Sequence, residues 1–282
     1  MKRIAVLTSV RNGDRFIARW ISHYGALFGR NNLYIIFDGM DQKLPIPQSG
    51  APDWGVNTLN FKHVQYSRLK GDKVRAARAS DIASNLFESY DIVIGTDVDE
   101  FLVLDPHCTQ GMHTYLSGLT INNCLSPLGV DVGRQTAMEG PLDWDEPFLG
   151  QRRFGILSDR YTKSCIITQP MRWGSGFHRV KGQSFTIDQN LFLFHFGSVD
   201  TAEVSARLEN KERISAGWTS HQRRRGAISE QISSVTADEG DSRLATARAE
   251  LSRPRSIVAW NKPRPIKKGA VITIPARFHG LV

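Results

Sequence analysis

Ile92-Val93-Ile94-Gly95-Thr96-Asp97-Val98-Asp99-Glu100-Phe101 runs from an apolar segment into three carboxylates within four residues and back to an apolar side chain. A short, unbroken apolar run predicts a strand covered on both faces of a sheet. In extended chain, side chains repeat every second residue, so Asp97 and Asp99 are expected to point the same way from the strand end and share one cation. Oxygen donors in a site open to ligand suit Mg²⁺ or Mn²⁺, which bridge carboxylates to phosphate oxygens. Such a cation neutralises the charge that appears on a departing diphosphate.

Upstream, Ile4 to Val10 is a second continuous apolar run and predicts the first strand. Lys2 and Arg3 precede it, but Arg11 and Asp14 interrupt the run too early for a signal peptide. Phe16, Ile17, Trp20, Ile21 and Tyr24 then recur with helical spacing behind Asp14, a plausible N-cap. Leu33 to Phe37 reads as a strand closed by Asp38-Gly39, and Lys43 to Gly55 as a Pro- and Gly-rich loop. A strand over Asn57 to Tyr66 and a helix between Asp72 and Tyr90 complete a β-α-β-β-α-β order. That order predicts an α/β fold with an open, mostly parallel central sheet. Ligands bind such sheets beyond the carboxyl ends of the strands, so Thr8-Ser9, Asp38 and Asp97-Asp99 are expected around one crevice.

Downstream the pattern is less regular. Short strands are expected at Cys124 to Val130, Lys163 to Thr168 and Leu191 to Phe196, and helix at Thr201 to Ala216. The polar Thr219 to Arg255 segment reads as a surface helical hairpin or a partly mobile arm. The expected division is a nucleotide-binding domain over residues 1–200 and a basic, helical extension over residues 201–282.

The 282 residues suffice for a full core, and 40% apolar with 23% charged residues is ordinary globular composition. Three cysteines with no C-x-x-C pair indicate neither a disulfide framework nor a thiolate metal site, so a cytoplasmic setting is expected. No stretch reaches the ~20 apolar residues that span a bilayer. A net charge of +8, concentrated after residue 150, favours an anionic partner such as a nucleotide, an acidic glycan or the membrane's inner face.

Thr8 to Arg11, the helix carrying Trp20 and Tyr24, Asp38, and Asp97-Val98-Asp99-Glu100-Phe101 together resemble the glycosyltransferase family 2-like proteins of the GT-A fold. The D-x-D-E-F form is that of the branch similar to family 92. The likeness covers residues 4–105 well and extends more weakly through Lys163-Ser164 and Gly176-Phe177-His178 to Leu193-Phe194-His195-Phe196, leaving most of the last hundred residues outside.

This resemblance implies transfer of a sugar from a nucleoside-diphosphate-sugar donor to a hydroxyl of a glycan or similar acceptor, with Mn²⁺ or Mg²⁺. Thr8, Ser9 and Arg11 would line the nucleotide pocket, Asp38 would face the base or ribose, and Arg78 matches the basic position on the helix before the metal motif. Asp97 and Asp99 inherit metal and sugar-nucleotide binding. His195, which by its residues alone reads as a core histidine in an aromatic strand, falls where such enzymes place a further metal ligand.

Other candidates rest on chemistry. A general base for the acceptor is sought among Asp131, Glu139, Asp143, Asp145 and Glu146. Asp145 and Glu146 stand out because Trp144 beside them can stack on a sugar. His178, in a glycine-bounded loop, is a candidate for substrate contact or acid-base work. Lys163 and Arg172 are candidate phosphate contacts.

Two rival readings remain. A D-x-D phosphatase is disfavoured by Phe101, which stands where that motif wants Thr or Val. A polyanion- or nucleic-acid-binding protein is supported by Arg223-Arg224-Arg225 but by no recognition signature, so no nucleic acid is expected. A dinucleotide oxidoreductase lacks its G-x-G-x-x-G turn.

Overall fold

The computed structural model describes residues 1–47, 53–200, 204–205, 209, 214–215, 219–267 and 270–282, without the side chains of residues 14, 220–222, 224 and 225. The helix expected over Thr201 to Ala216 falls largely outside the described residues, as do the side chains of Arg224 and Arg225.

The first half follows the β-α-β-β-α-β order: β1 (Ile4–Val10), α1 (Asp14–Phe28), β2 (Leu33–Asp38), β3 (Asn57–Phe61), α2 (Arg68–Leu86) and β4 (Ile92–Gly95). β1 pairs in parallel with β2 on one side and β4 on the other, and β2 pairs in parallel with β3. Alternate residues of β1 enter different layers. Ile4 and Val6 meet Phe16, Ile17, Trp20 and Tyr24 of α1, while Ala5 and Leu7 pack with Ala79 and Ala83 of α2. A strand covered on both faces must be apolar throughout, which is why β1 and β4 read as continuous runs.

Several boundaries differ from expectation: the helix expected between Asp72 and Tyr90 is Arg68–Leu86, and the strands expected at Cys124 to Val130 and Leu191 to Phe196 lengthen to Cys124–Gly133 and Ile187–Ser198. α1 begins at Asp14 with Gly13 in the cap position and no side-chain cap bond. β3 ends at Phe61 because it is the sheet edge, where only Leu59 and Phe61 pack inward. The strand expected over Lys163 to Thr168 contracts to β8 (Ile166–Ile167).

Beyond β4 the sheet is mixed. β5 (Glu100–Leu104), α3 (Met112–Gly118), β6 (Cys124–Gly133), the short α4 (Phe148–Gln151), β7 (Phe154–Leu157), β8 and β9 (Ile187–Ser198) follow. β8 joins β4 to β6, antiparallel to both. β9 lies between β5, antiparallel to it, and β6, parallel to it. The result is an α/β fold around a ten-stranded sheet, parallel in its first four strands and mixed thereafter.

The C-terminal region is built into this body. α5 (Thr219–Ser234) sets Ile232, 1% exposed, against Phe154 and Ile156 of β7. α6 (Gly240–Leu251) contributes Leu244, Ala247 and Leu251 to the main core. β10 (Val271–Thr273) extends the sheet beside β7, and Phe148 N–H donates to Val282 O at 2.6 Å. The segment expected as a hairpin or mobile arm is therefore two helices docked on the sheet. Among the described residues no helix is long and apolar enough to cross a membrane.

Candidate functional site

β1 sends its neighbours to opposite sides, and the carboxyl ends of β1, β2 and β4 carry Thr8-Ser9, Asp38 and Asp97. A crevice at such a reversal of strand order is where α/β sheets bind ligands. At the end of β4, Thr96 N–H donates to Leu7 O at 3.1 Å, and its Oγ1 accepts from Trp20 Nε1 at 3.0 Å. The chain then turns instead of continuing extended. Glu100 N–H donates to Asp97 O at 3.1 Å, while Glu100 Oε2 accepts from Asp97 N–H at 2.8 Å. The aspartates are thus held by a tight turn closed by Glu100, which corrects the expectation that strand alternation aligns them. Asp97 keeps a side chain 42% exposed, and Asp99 is buried.

Strand pairing assembles the next layer. Glu100 of β5 and Asp131 of β6 both lie opposite His195 of the intervening β9, forming a row across three strands. His195 Nδ1 lies 2.7 Å from Asp131 Oδ1, while Nε2 lies 3.1 Å from the Tyr161 hydroxyl and 3.5 Å from Asp99 Oδ2. The Tyr161 ring stacks on the imidazole with centroids 3.9 Å apart. Burial disfavours the charged imidazolium, but the carboxylates of Asp131 and Asp99 outweigh it and raise its pKa to about 9. Asp131, one of the candidate bases, is hydrogen-bonded to the imidazole.

Glu100 is wholly buried and ion-paired with Lys163, Nζ to Oε1 2.7 Å. Burial is the main force on the Glu100 carboxyl, raising its pKa to about 7 against the pull of Lys163. Burial opposes the Lys163 charge in turn, but Glu100 and Asp97 more than compensate, so the ammonium is favoured. Lys163 also donates to Gly176 O at 2.7 Å and lies 3.7 Å from Asp97 Oδ2. Read from sequence as a phosphate contact, it sits instead beneath the turn, 1% exposed, as the counter-charge of a carboxylate cluster. Gly129 makes this possible, because a Cβ there would fall 2.1 Å from the Tyr161 carbonyl carbon. Without that close crossing over β6, neither Tyr161 nor Lys163 could reach the site.

A second cluster surrounds Asp38 at the end of β2. Its carboxylate lies 3.2 Å from His63 Nδ1, 3.5 Å from Arg75 and 3.6 Å from Arg78, whose guanidinium covers the Phe61 ring. Arg11 Nη1 donates to Asp38 O at 2.8 Å. The structure thus brings Arg11, Asp38 and Arg78 together and adds Arg75 and His63. Thr8 Oγ1 and Ser9 Oγ, on the neighbouring strand end, are buried with no hydrogen-bond partner among the described residues. Buried hydroxyls left unpaired cost free energy; Ser9 is on the α2 face of β1, the face of Asp38 and Arg78, whereas Thr8, 0% exposed, is on the α1 face.

The remaining candidates lie apart or are occupied. Asp145 and Glu146 are exposed on a loop anchored to α1, where Arg19 donates to the Trp144 and Glu146 carbonyls. Trp144 packs edge-on against Phe16 and Phe148, which makes it a wedge under that loop. Asp143 caps the same loop, and buried Glu139 accepts from the Arg153 and Gln135 amides. Arg172 is exposed and paired with Asp81. His178 Nδ1 lies 2.9 Å from Arg160 O, and burial, then the nearby Lys163 charge, hold the ring neutral by pushing its pKa well down.

Sequence reasoning missed Tyr161, Arg75 and His63. Arg75 lies one turn before Arg78 on the same helix, a signal that spacing carries; Tyr161 gave none, because its place depends on Gly129. Asp99 and His195 Nε2 are chemically suited to a divalent cation, with Asp97 exposed beside them and Asp131 fixing the imidazole through its other nitrogen. Among the described residues, no group of three or more His, Cys, Asp or Glu side chains is drawn together closely enough to hold a metal ion. No protein-family model matches the chain, and no curated protein matches its sequence.

Proposed function

We propose that the chain is a glycosyltransferase of the GT-A type, moving a sugar from a nucleoside diphosphate to a hydroxyl acceptor. The observation that carries this reading is the Asp97-Asp99 turn at the reversal of strand order, backed by His195 with its Nδ1 on Asp131. In it Asp99 and His195 would hold Mn²⁺ or Mg²⁺, with the exposed Asp97 side chain closing in to complete the ligand set, and the ion would supply positive charge to the diphosphate leaving group. Lys163 and Glu100 fix the turn, and the Asp38 cluster with Ser9, Arg11 and Arg78 receives the nucleoside, Thr8 lying buried on the other face of the same strand end.

The test is donor turnover by the double variant D97A/D99A. Mn²⁺-dependent hydrolysis or transfer from a nucleoside-diphosphate sugar is expected to fall at least about 10³-fold with the thermal midpoint retained. Unchanged turnover sinks the proposal. Thermal stabilisation by nucleoside diphosphate with Mn²⁺, and not by a polyanion alone, separates the reading from simple polyanion binding.

A further inference from the structure

Residues 253–264 form a compact hairpin that the site does not use. Pro254 and Pro263 bridge antiparallel, Arg255 N–H donates to Lys262 O at 3.2 Å, and Arg264 N–H donates to Arg253 O at 2.8 Å. Ala259 N–H donates to Ser256 O at 3.1 Å and Lys262 N–H to Ala259 O at 3.0 Å, closing the tip. The hairpin is rooted in the body through Asn261, which is buried and donates from Nδ2 to Val180 O at 3.0 Å, and through the Arg255–Asp159 ion pair.

That rigid root carries an apolar tip. Ile257 is 92% exposed and Val258 90%, with Trp260 beside them at 43%. Scattered exposed aliphatics are ordinary, but two almost fully exposed β-branched residues adjoining an exposed Trp on an ordered turn form a continuous patch. Around it, residues 253–267 carry Arg253, Arg255, Lys262, Arg264 and Lys267 and no Asp or Glu. Arg160 and Arg179 stand close enough to Lys262 to oppose its charge. Apolar side chains at the apex, an indole behind them and a flank in which cations predominate, only Arg255 being ion-paired among the described residues, with Asp159, match the layering of a lipid interface: hydrocarbon, then the headgroup zone, then anionic phosphate.

We propose that this hairpin docks the protein on an anionic membrane surface, Ile257 and Val258 entering the acyl boundary, Trp260 lying at headgroup level, and the flanking arginines and lysines meeting lipid phosphates. The charge complementarity selects lipid over a second copy of this chain, because two such hairpins facing one another would oppose their cations. The inference stands independently of sugar transfer. It does bear on it, because Lys262 and Arg160 also lie near His178, so the docked face borders the candidate site.

The test is cosedimentation of the full chain with vesicles of phosphatidylcholine containing roughly a third phosphatidylglycerol, against vesicles of phosphatidylcholine alone. The parent is expected to bind the anionic vesicles, with binding that weakens as salt is raised. I257S/V258S is expected to reduce partitioning at least about tenfold with an unchanged melting midpoint, and R253Q/R264Q to reduce the preference for anionic lipid. Trp260 emission should shift to the blue on vesicle addition, and W260F should remove that shift. No binding by the parent, or equal binding by I257S/V258S, overturns the proposal. A parent dimer that I257S/V258S converts to monomer, without vesicle binding by either, assigns the tip to a second copy and overturns it as well. Loss of vesicle binding leaves donor turnover on a soluble acceptor unaffected, so this inference and the transferase reading fail separately.

Discussion

Replacing Asp131 with Asn preserves the side chain's size and an oxygen that can accept from His195 Nδ1, but removes the charge that makes the imidazole a strong donor on its other nitrogen. Outer carboxylates of this type tune ligand basicity and orientation. D131N is therefore expected to weaken Mn²⁺ binding about 10- to 100-fold, read by calorimetric titration, with the fold retained. Unchanged affinity counts against His195 as a ligand. Lys163→Met probes the charge beneath the turn. It strands Glu100, wholly buried, without its cation and is expected to cost about 3 kcal/mol in urea unfolding. Adding Glu100→Gln should restore much of that loss, since a neutral pair leaves no uncompensated buried charge. Asp97 and Asp99 could be picked out from residue type and position, whereas His195, a core histidine by its residues alone, stood out only through the family resemblance. The Lys163–Glu100 pair could not be picked out, because it joins residues 63 apart through strands whose pairing no local pattern specifies.

At the scale of elements, legibility followed burial. β1 and β4 are covered on both faces and α1 on one stripe, so apolar runs and helical spacing locate them closely. α5 is the contrary case. Thr219 to Ser234 is polar along most of its length, and a helix that docks through few apolar residues has a weak pattern. Ile232 is nonetheless buried against Phe154, Ile156 and Val271, with Ile228 packed beside it, and Gly133 gives them room: a Cβ there would fall 2.8 Å from Ile232 Cδ1. I232A is expected to cost about 3 kcal/mol in global unfolding and to speed amide exchange along α5. A cost within about 0.5 kcal/mol would show that α5 is an appendage, as its composition first suggested. The Asp97-Asp99 turn shows the same limit. Alternation held only to Gly95, and the Glu100 side chain that reverses the chain lies after the motif it shapes.

For the molecule as a whole, the net charge of +8 already disfavours further protonation, and two half-buried histidines sharpen that effect. His23, on α1, is held against Leu102 O at 2.9 Å and packs edge-on to Tyr24 and Phe101. Burial lowers its pKa from 6.5 to about 4, the bond to Leu102 opposing only in part. His178 shifts the same way. In the unfolded chain both rings take up a proton as pH falls below 6.5, whereas the folded protein leaves His23 neutral until about 4. The unfolded state therefore binds more protons throughout that window, so stability is full above 6.5 and falls as pH drops towards about 4. His23 alone is expected to remove on the order of 2 kcal/mol, less than its full shift implies because the side chain is only half-buried. His23→Gln retains a donor for Leu102 O and does not titrate. Urea unfolding of parent and variant across this window should show a shallower acid limb for H23Q by up to about one proton, with little difference at neutral pH beyond a constant offset. Parallel curves would mean that the ring already exchanges its proton with solvent in the folded protein, and that the acid sensitivity lies with His178 and the carboxylate pairs.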